Sequence, residues 1–600
     1  MRELGVAATT VLLLAAASFV SPAAASSGGS RLPGPAGPHA VARPVHPTAS
    51  AAGVRAPATV SSLSVACDGQ FNAVASFNGT GHNVLLNTAV LSPNDVWTVG
   101  FQNVNNKDRT LAEHWNGTSW SYAATINTGS SHNDLFGVSG TATNNVWAVG
   151  AYETNTTSHA TATIAEHWNG TSWSKVATVN PSSYSYLFAV AAVSTNSVWA
   201  VGTYYNFGVG AYQTLVEHYN GSSWAVVSSP NSGASDTWNQ LFAISALGDT
   251  DIWAVGSLSP SFGPLQSLAV HSDGTIMTVV GTPNTIGDNE LLSVNALEPG
   301  HAVGVGYGGF VGGSSPALAV QWNLVASGAS TAGAFTLPVS GDVILESLAR
   351  SSDAVWAVGY YRSTVSSPRQ TLVWKATWDS SAHTIAWAAS PGTSDSPGSV
   401  SSVLFGAAAV SPGVFWAMGY SYSGVYDQTL TELYCSLHFD VAAPATATAS
   451  VAFSMTVTAT NADSSTATDY RGTVHFTSSD PQAVLPGDYT FTPGDSGVHT
   501  FTGVVLKSPY NQPTTITASD TVMPFILGSD SVTVTCSGIC QSSGGTPGGR
   551  PVLPGPTPSP GPRDTNQSPG GSPGPRVPWG LVFPLGLFAF TLSAQPRRRS

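Results

Sequence analysis

Short apolar segments recur along the chain at intervals of about fifty residues. Each copy resembles Asp95–Gly100 (Asp-Val-Trp-Thr-Val-Gly), and its last residue is a glycine. The seven final glycines are Gly100, Gly150, Gly202, Gly256, Gly306, Gly359 and Gly419. A period near 50 residues with short strands is typical of a propeller. Seven copies therefore predict seven blades.

Each repeat contains two pairs of predicted strands. An apolar segment such as Leu135–Val138 precedes a polar turn and then the Val-Trp-Ala-Val-Gly strand. The second pair surrounds Glu113–Trp120 (Glu-His-Trp-Asn-Gly-Thr-Ser-Trp), in which Asn-Gly predicts a type I′ hairpin turn. Four antiparallel strands make one blade. The repeated rings, such as Trp97 and Trp147, are predicted to fill the space between sheets rather than to bind a ligand.

The fifth and seventh repeats depart from this pattern. Val303 replaces the tryptophan in the fifth copy, and the seventh copy supplies three strands where four are needed. The spare β-like segments nearby are Ser62–Ala66 and Phe71–Phe77, before the first repeat. We therefore expect the N-terminal part of the chain to complete the last blade.

Four cysteines in an exported chain predict disulfides, and three connectivities are possible. Cys67 precedes the first blade and Cys435 lies in the last strand of the seventh, so their pairing would close the ring. Cys536 and Cys540 would then form a small loop.

The repeats resemble those of secreted bacterial propeller proteins that are loosely related to kelch-type and Asp-box propellers. The resemblance extends over residues 61–436, and the Gly117–Trp120 corner is similar to the Asp-box hairpin without its aspartate. True kelch repeats carry a Gly-Gly pair that is missing here. The resemblance therefore implies a shared architecture rather than a shared ligand.

Residues 437–536 alternate apolar and polar positions in about seven short strands, which predicts an immunoglobulin-like β-sandwich. The run Tyr470–Pro481 resembles Ig-like modules repeated in bacterial surface proteins, and this implies a spacer or adhesion unit. Asp480, Asp488 and Asp495 are possible calcium ligands, although aspartates in turns are the commoner explanation. The chain is thus predicted to be all-β, with two folded domains.

The two ends predict export and attachment to the cell surface. Arg2 precedes the apolar run Val6–Val20, as in a secretory signal, and an apolar run near the other end precedes three arginines. This C-terminal arrangement resembles the anchors of bacterial surface proteins, without a sortase signal; secretion without an anchor is the alternative. The predicted segments are a signal peptide at 1–25, a disordered Pro/Ala/Gly-rich segment at 26–60, a Pro/Gly-rich stalk at 537–576, a transmembrane anchor at 577–594 and a basic cytoplasmic tail at 595–600.

Charge excludes one class of partner. The formal net charge of the chain is −13, and its repeat region has far more acidic than basic residues. Nucleic-acid-binding domains are usually basic. We therefore expect no nucleic-acid partner.

The repeated Glu-His pairs do not predict a metal site. Equivalent histidines lie on successive blades, about 10 Å apart, which is too far for ligands of one zinc ion. We expect each one to bond the adjacent hairpin instead, and the sequence predicts neither a metal nor another cofactor. The histidines concerned are His114, His167, His218 and His271.

An enzymatic alternative depends on side chains that do not repeat. The acids are Glu290, Asp342, Glu346 and Asp353, and the arginines are Arg350, Arg362 and Arg369. A sialidase-like site needs three arginines from separate blades, but two of these arginines share one connection between strands. No catalytic residue is therefore assigned, and the pattern favours a protein that is not an enzyme.

These observations predict a surface protein that binds or adheres to a glycan or protein ligand. The connections after the Val-Trp-Ala-Val-Gly strands vary while the framework repeats, and variable loops commonly carry function. The alternatives are a secreted glycan-active enzyme and a purely structural envelope component. The candidate ligand-contacting residues are Tyr204, Tyr205, Phe207, Phe262, Tyr360, Tyr361 and Arg362.

Overall fold

The computed structural model describes residues 67–536, except 130, 234–236, 261–262, 310–315, 325–329, 337–340, 353, 365, 389–399, 423 and 508–512, and in residues 330–336 it describes the backbone alone. The predicted signal peptide, the segment at 26–60, the stalk, the anchor and the tail all lie outside these residues. Within the described part of the chain, no helix combines the length and the apolar character needed to span a membrane.

Four-stranded antiparallel sheets repeat from residue 70 to residue 435. The strands are β1 (Gln70–Ala73), β2 (Asn83–Ser92), β3 (Asp95–Val104), β4 (Lys107–Trp115), β5 (Trp120–Tyr122), β6 (Asn133–Ala142), β7 (Asn145–Asn155), β8 (Ala160–Trp168), β9 (Trp173–Val176), β10 (Ser185–Ser194), β11 (Ser197–Asn206), β12 (Ala211–Tyr219), β13 (Trp224–Val226), β14 (Trp238–Gly248), β15 (Asp251–Ser259), β16 (Gln266–Ser272), β17 (Met277–Val280), β18 (Glu290–Glu298), β19 (His301–Tyr307), β20 (Ala317–Leu324), β21 (Ser330–Thr336), β22 (Asp342–Arg350), β23 (Val355–Arg362), β24 (Gln370–Asp379), β25 (Thr384–Trp387), β26 (Ser401–Ser411), β27 (Val414–Tyr422) and β28 (Asp427–Cys435).

The sheets follow one another in chain order. The first sheet is β2–β5, the second β6–β9, the third β10–β13, the fourth β14–β17, the fifth β18–β21, the sixth β22–β25, and the seventh β26–β28 with β1. The opening strand of each sheet, counted from β2, contacts that of the next, and β26 contacts β2. The described sheets therefore close into a ring, which is a β-propeller architecture.

The N-terminal strand completes the seventh sheet, as predicted. Strand β1 pairs with β28, and Gln70 lies opposite Cys435 in the register. Cys67 and Cys435 form a disulfide across 368 positions of sequence. The two ends of the ring are thus joined by backbone hydrogen bonds and by a covalent bond.

The repeated tryptophans lie between adjacent sheets, which confirms their predicted role in the core. Trp97, Trp147 and Trp253 are at most 1% exposed. The Trp97 ring of the first sheet contacts Trp173 of the second with a centroid distance of 5.2 Å. An aromatic side chain of this size removes about 150–250 Å² from water, so each contributes roughly 4–6 kcal/mol to folding before entropy is subtracted.

In the fifth sheet, a tryptophan from a different strand fills the space between neighbouring sheets. Trp322 in β20 is fully buried, and a Cβ atom on Gly304 would lie 2.7 Å from its ring. The ring contacts Trp253 of the fourth sheet with a centroid distance of 5.6 Å. Trp322 therefore occupies space beside Val303, where the other repeats place a tryptophan.

Residues 437–535 form two further sheets that pack against each other. A three-stranded sheet has the order β29-β31-β34, and a five-stranded sheet has the order β30-β36-β35-β32-β33. Their facing side chains share one core, which continues into the first and seventh sheets through Trp115 and Trp416. The elements are β29 (Leu437–Ala442), β30 (Thr446–Thr448), β31 (Phe453–Asn461), β32 (Thr473–Ser478), β33 (Tyr489–Thr490), a 3₁₀ turn (Pro493–Asp495), β34 (Val498–Val504), β35 (Pro513–Asp520) and β36 (Leu527–Thr535).

Candidate functional site

The opening strand of every sheet in the ring contains a β-bulge at the same position of the repeat. In the second sheet, Leu135 pairs with Gly150 and Gly137 pairs with Val149, so Phe136 is the extra residue. A bulge bends its strand and redirects a side chain. The seven bulge residues are Leu86, Phe136, Phe188, Phe242, Leu292, Glu346 and Phe405.

The repeated glycine makes room for this bulge. A Cβ atom on Gly150 would overlap the carbonyl oxygen of Asp134 and would lie 2.9 Å from the Cα of Leu135. The other six final glycines face the equivalent carbonyl group of their own opening strand in the same way. The glycine that marks each repeat in the sequence is therefore required by the close approach of two strands.

All seven bulge residues line a cavity of about 380 Å³ that is bounded by the opening strands. Neighbouring rings contact each other around it: Phe136 and Phe188 have a centroid distance of 5.6 Å, as do Phe188 and Phe242. Six members of this bulge ring are Phe or Leu, and the seventh is Glu346. We regard the sector around Glu346 as the candidate functional site.

Glu346 is half-buried in the wall of the cavity. Burial raises the pKa of Glu346 to about 8; the positive charge of Arg369 lowers the pKa, and the negative charge of Glu290 raises it. At neutral pH most Glu346 side chains are therefore protonated. A protonated carboxyl group can both donate and accept a hydrogen bond.

Arg369 places a cation beside this carboxyl group. It precedes β24, and its guanidinium group lies over the Tyr360 ring, 4.9 Å from the centroid. One of its nitrogens donates a hydrogen bond to the Tyr420 hydroxyl group at 3.3 Å. Tyr360 and Tyr420 are themselves buried, so the sixth and seventh sheets together fix the position of the cation.

Glu290 supplies a second carboxyl group from the fifth sheet. It accepts hydrogen bonds from Ser257 Oγ at 2.8 Å and from Tyr307 Oη at 2.9 Å, and all three side chains are buried. Burial is the main reason that the pKa of Glu290 rises to about 7, and these two hydrogen bonds oppose the rise. Two acids with raised pKa values thus lie on neighbouring sheets at the same end of the ring.

The sector can bind a polar group beside the apolar members of the bulge ring. Glu346 offers a donor and an acceptor, while Arg369 offers a positive charge that Tyr360 and Tyr420 hold in place. Hydrogen bonds that involve an ionised group are stronger than neutral ones. Phe405, the bulge residue of the adjacent seventh sheet, offers a flat apolar face.

The predicted ligand-contacting residues are distributed differently from our expectation. Tyr360, Tyr361 and Arg362 are not in a loop, because β23 continues through them and pairs with Ile344, Val343 and Asp342 of β22. Arg362 Nε contacts Asp342 Oδ2 at 2.5 Å. Tyr360 belongs to the wall behind the candidate site rather than to its surface.

Tyr204 and Tyr205 also lie in a strand, since β11 extends to Asn206. Tyr204 donates a hydrogen bond to Gln213, and Tyr205 packs edge-on against Tyr212 with a centroid distance of 5.1 Å. Phe207 follows in the turn and is 63% exposed. Phe262 lies outside the described residues.

Of the other non-repeating charges, Arg350 donates hydrogen bonds to the carbonyl oxygens of Ala296 and Leu297. Asp342 pairs with Arg362, and Asp353 lies outside the described residues. The three arginines named in the sequence analysis therefore have separate roles, and only Arg369 lies beside Glu346.

The repeated histidines have a structural role, and their partner differs from the one we expected. His114 Nε2 contacts Asp95 Oδ1 at 2.8 Å, and the same oxygen accepts a hydrogen bond from Trp97 Nε1 at 3.0 Å. His167 and His271 make the equivalent contacts with Asn145 and Asp251, while His218 contacts Ser197. Each histidine thus bonds the first residue of the tryptophan strand, not the adjacent hairpin.

The three possible calcium ligands have separate hydrogen-bond partners. Asp480 accepts backbone hydrogen bonds from Gln482 and Lys507, and Asp488 contacts His475. Asp495 accepts a hydrogen bond from the Thr492 backbone. Cys536 is disulfide-bonded, and Cys540 lies outside the described residues.

Sequence reasoning missed the bulge ring because a bulge is defined by the pairing of two strands. A trace of it is nevertheless present in the sequence. Leu-Phe-Gly or Leu-Phe-Ala recurs at the start of the repeats, and the sixth repeat has Leu345-Glu346-Ser347 there. Aligning the opening strands would have separated Glu346 from the other acids.

No protein-family model matches the chain, and no curated protein does. Solved structures of β-propeller proteins are similar in part. YCF48 from Cyanidioschyzon merolae is 14% identical, with 61% of this chain and 98% of that chain covered and a TM-score of 0.37. PorZ, an essential surface component of the type-IX secretion system of Porphyromonas gingivalis, is 12% identical, with 74% and 70% covered and a TM-score of 0.33. The periplasmic gluconolactonase PpgL of Pseudomonas aeruginosa is 9% identical, with 59% and 96% covered and a TM-score of 0.32. At this level of similarity, no ligand or activity is transferred to this chain.

Proposed function

We propose that this chain is an exported cell-surface protein that binds a glycan through the channel of a seven-bladed β-propeller. An Ig-like β-sandwich, a Pro/Gly-rich stalk and a C-terminal membrane anchor hold the propeller away from the cell. The supporting features are the seven four-stranded sheets and the predicted segments at the two ends of the sequence.

One observation carries the binding proposal: the apolar bulge ring is interrupted by a single carboxyl group, Glu346, and a cation lies beside it. A polar residue among six apolar equivalents has no repeat-wide structural role, because the other sheets close the ring without it. Sugars present both hydroxyl groups and apolar faces, which suit a protonated acid, an arginine and the neighbouring aromatic ring of Phe405. An acidic sugar would gain the additional attraction of Arg369.

The test is binding of the purified exported chain to an array of neutral and acidic glycans. Glu346→Leu is the informative variant, because leucine is the native bulge residue in the first and fifth sheets. Phe136→Leu is the matched control, since it places the same side chain in the same ring and removes no polar group, and the second sheet is not adjacent to the sixth. We expect Glu346→Leu to weaken binding at least tenfold and Phe136→Leu to retain it. Equal affinities for the two variants would refute the proposal.

The protonation state gives a second readout. Because burial raises the pKa of Glu346 to about 8, the neutral acid predominates at pH 7 and the carboxylate at pH 9. Glu346→Gln should therefore bind as well as the native protein at pH 7, and it should keep that affinity at pH 9. Native binding should decline between these values.

A secreted glycan-active enzyme is the second candidate function. Glu290 and Glu346 favour it, since glycoside hydrolysis pairs a protonated carboxyl group with an ionised one, and the pKa of Glu346 (about 8) lies above that of Glu290 (about 7), so Glu346 keeps its proton more readily. Release of sugar from a bound glycan, lost in both Glu290→Gln and Glu346→Gln, would establish this function. Binding without release would support the non-enzymatic protein.

A further inference from the structure

We propose that Glu298, His301 and His383 bind a divalent transition-metal ion of the zinc class between the fifth and sixth sheets. One ligand atom from each residue lies within 4.8 Å of the other two. Among the described residues, no other group of three His, Cys, Asp or Glu side chains meets this distance. The site is separate from the channel, so it does not depend on the proposed function.

The three ligands come from two neighbouring turns. Glu298 ends β18 and His301 begins β19, so both belong to the first turn of the fifth sheet. His383 lies in the turn between β24 and β25 of the sixth sheet. An ion held by all three would therefore connect two adjacent sheets.

One hydrogen bond orients His301, the histidine of the fifth sheet. His301 Nδ1 lies 3.1 Å from the carbonyl oxygen of Pro299. A carbonyl group only accepts hydrogen bonds, so Nδ1 carries the proton and Nε2 keeps its lone pair. Metal-binding histidines commonly donate their other ring N–H to a carbonyl or carboxylate group in this manner.

The carboxylate is oriented in a similar way. Trp378 Nε1 donates a hydrogen bond to Glu298 Oε1 at 3.0 Å, which leaves Oε2 for another partner. His383 Nδ1 lies 3.3 Å from Oε2, yet it is buried and makes no hydrogen bond. Glu298 Oε2 and His383 Nδ1 are thus two potential ligand atoms that lie close together without forming a hydrogen bond.

His383 is also held in an unusual backbone conformation. Its φ angle is 50°, in the left-handed region where asparagine, aspartate and histidine are the most frequent residues after glycine. The side chains of Gln321 and Asn323 donate hydrogen bonds to its carbonyl oxygen at 2.5 and 3.4 Å. Both donors lie in β20, so these bonds hold the His383 turn against the fifth sheet.

The fifth sheet has lost the interactions that this site would replace. In the first sheet, Asp95 binds both Trp97 and His114, and the fourth sheet repeats this set. The equivalent positions of the fifth sheet are His301, Val303 and Gln321, which cannot reproduce it. The sixth and seventh sheets also lack the set, since Lys375 and Leu433 stand where the first sheet has His114. In the fifth sheet a metal ion would supply a cross-link in its place.

The chemistry of the ligands selects the ion. Two imidazole groups and one carboxylate favour zinc, cobalt, nickel or copper over calcium and magnesium, which prefer oxygen. Zinc bonds are about 2.0–2.2 Å long, so the ligand atoms must approach one another by roughly 1 Å. The stacked rings of His301 and His383, at 4.4 Å and 14°, must tilt apart to share the ion. Water would complete a tetrahedral site.

The experiment is a calorimetric titration of the exported chain with zinc chloride, after a chelator has removed any bound metal. His301→Ala and His383→Asn each remove one ligand, and asparagine tolerates the positive φ of residue 383. His159→Asn is the matched control, because His159 is an exposed histidine with a φ of 53° that lies outside the site. Addition of zinc should also raise the denaturation midpoint of the native protein.

We expect one equivalent of zinc per chain, with affinity at least about tenfold weaker in His301→Ala and His383→Asn than in His159→Asn. Cobalt should give visible absorption in the native protein and the control, and none in the two ligand variants. Absence of a stoichiometric site, or equal affinity in all three variants, would overturn the proposal. Weak binding that persists in every variant would come from the two-residue His-Asp pairs elsewhere and would also count against it.

Discussion

Gly150→Ala tests whether the repeated glycine is required by the bulge in the opening strand. The added Cβ atom would overlap the Asp134 carbonyl oxygen and would lie 2.9 Å from Leu135 Cα. Both obstacles are backbone atoms of a paired strand, so no side chain can move aside to relieve them. Strands β6 and β7 must separate next to Phe136, and the hydrogen bonds on either side of the bulge must lengthen.

The expected destabilisation follows from this geometry. Forcing one extra carbon into a packed interior typically costs about 1–3 kcal/mol, and sometimes more. Here rigid backbone must move rather than a side chain, so we expect at least about 3 kcal/mol. Gly248→Ala is the control: no atom lies within 4 Å of the added carbon, and its φ is not in the left-handed region. Reduced freedom of the unfolded chain should make that variant neutral or more stable by up to about 1 kcal/mol.

The assay is urea denaturation followed by tryptophan fluorescence, with the two variants measured beside the native protein. Comparing the two alanine variants cancels their shared effect on the unfolded chain. A difference below about 1 kcal/mol would refute the explanation, because an overpacked backbone contact costs more than that. The recurrence of glycine at this position would then need another explanation, such as a requirement of the folding pathway.

Two further predictions concern closure of the ring and the repeated glutamates. The double variant Cys67→Ala/Cys435→Ala should lose roughly 2–5 kcal/mol of stability in urea denaturation. Reductant should lower the free energy of unfolding of the native protein by at least as much, because it also breaks the disulfide of Cys536. Burial raises the pKa of Glu113 to about 8 from 4.5, so the folded protein holds a proton that the unfolded chain releases. Its stabilising contribution is complete below pH 4.5 and declines by about 1.4 kcal/mol per unit as pH rises toward 8. Glu113→Gln should remove this share of the pH dependence, and an unchanged slope in denaturation from pH 5 to 8 would contradict it.

Glu113 also shows how one repeated residue joins neighbouring segments. Its Oε2 accepts a hydrogen bond from the backbone of Phe77, and Glu166 and Glu217 bond Ile126 and Val179 in the same way. The other carboxyl oxygen of each glutamate is buried without a hydrogen-bond partner. Hydrogen bonds therefore explain the repeated Glu-His pair. The glutamate bonds the backbone of a preceding segment, and the histidine bonds the first residue of the tryptophan strand.

Local pattern determined much of this protein. The spacing of the final glycines predicted the repeated sheets, and the three strands of the seventh repeat predicted that the N-terminal strand would complete it. Placement of Cys67 and Cys435 predicted the bond between the ends. These features depend on strand periodicity and on the order of segments, and both are present in the linear sequence.

Tertiary structure alone decided where chemistry is concentrated. An alignment of the repeats marks Glu346 as the odd residue, but only the closed ring of seven opening strands places it in one channel with its six apolar equivalents. The extent of β23 removed Tyr360 and Arg362 from the predicted loop, since strand length depends on pairing with β22. Glu298, His301 and His383 meet because two turns of adjacent sheets lie side by side, more than eighty residues apart in sequence. Such contacts arise from packing in three dimensions, and the hydrophobic period of the sequence contains no record of them.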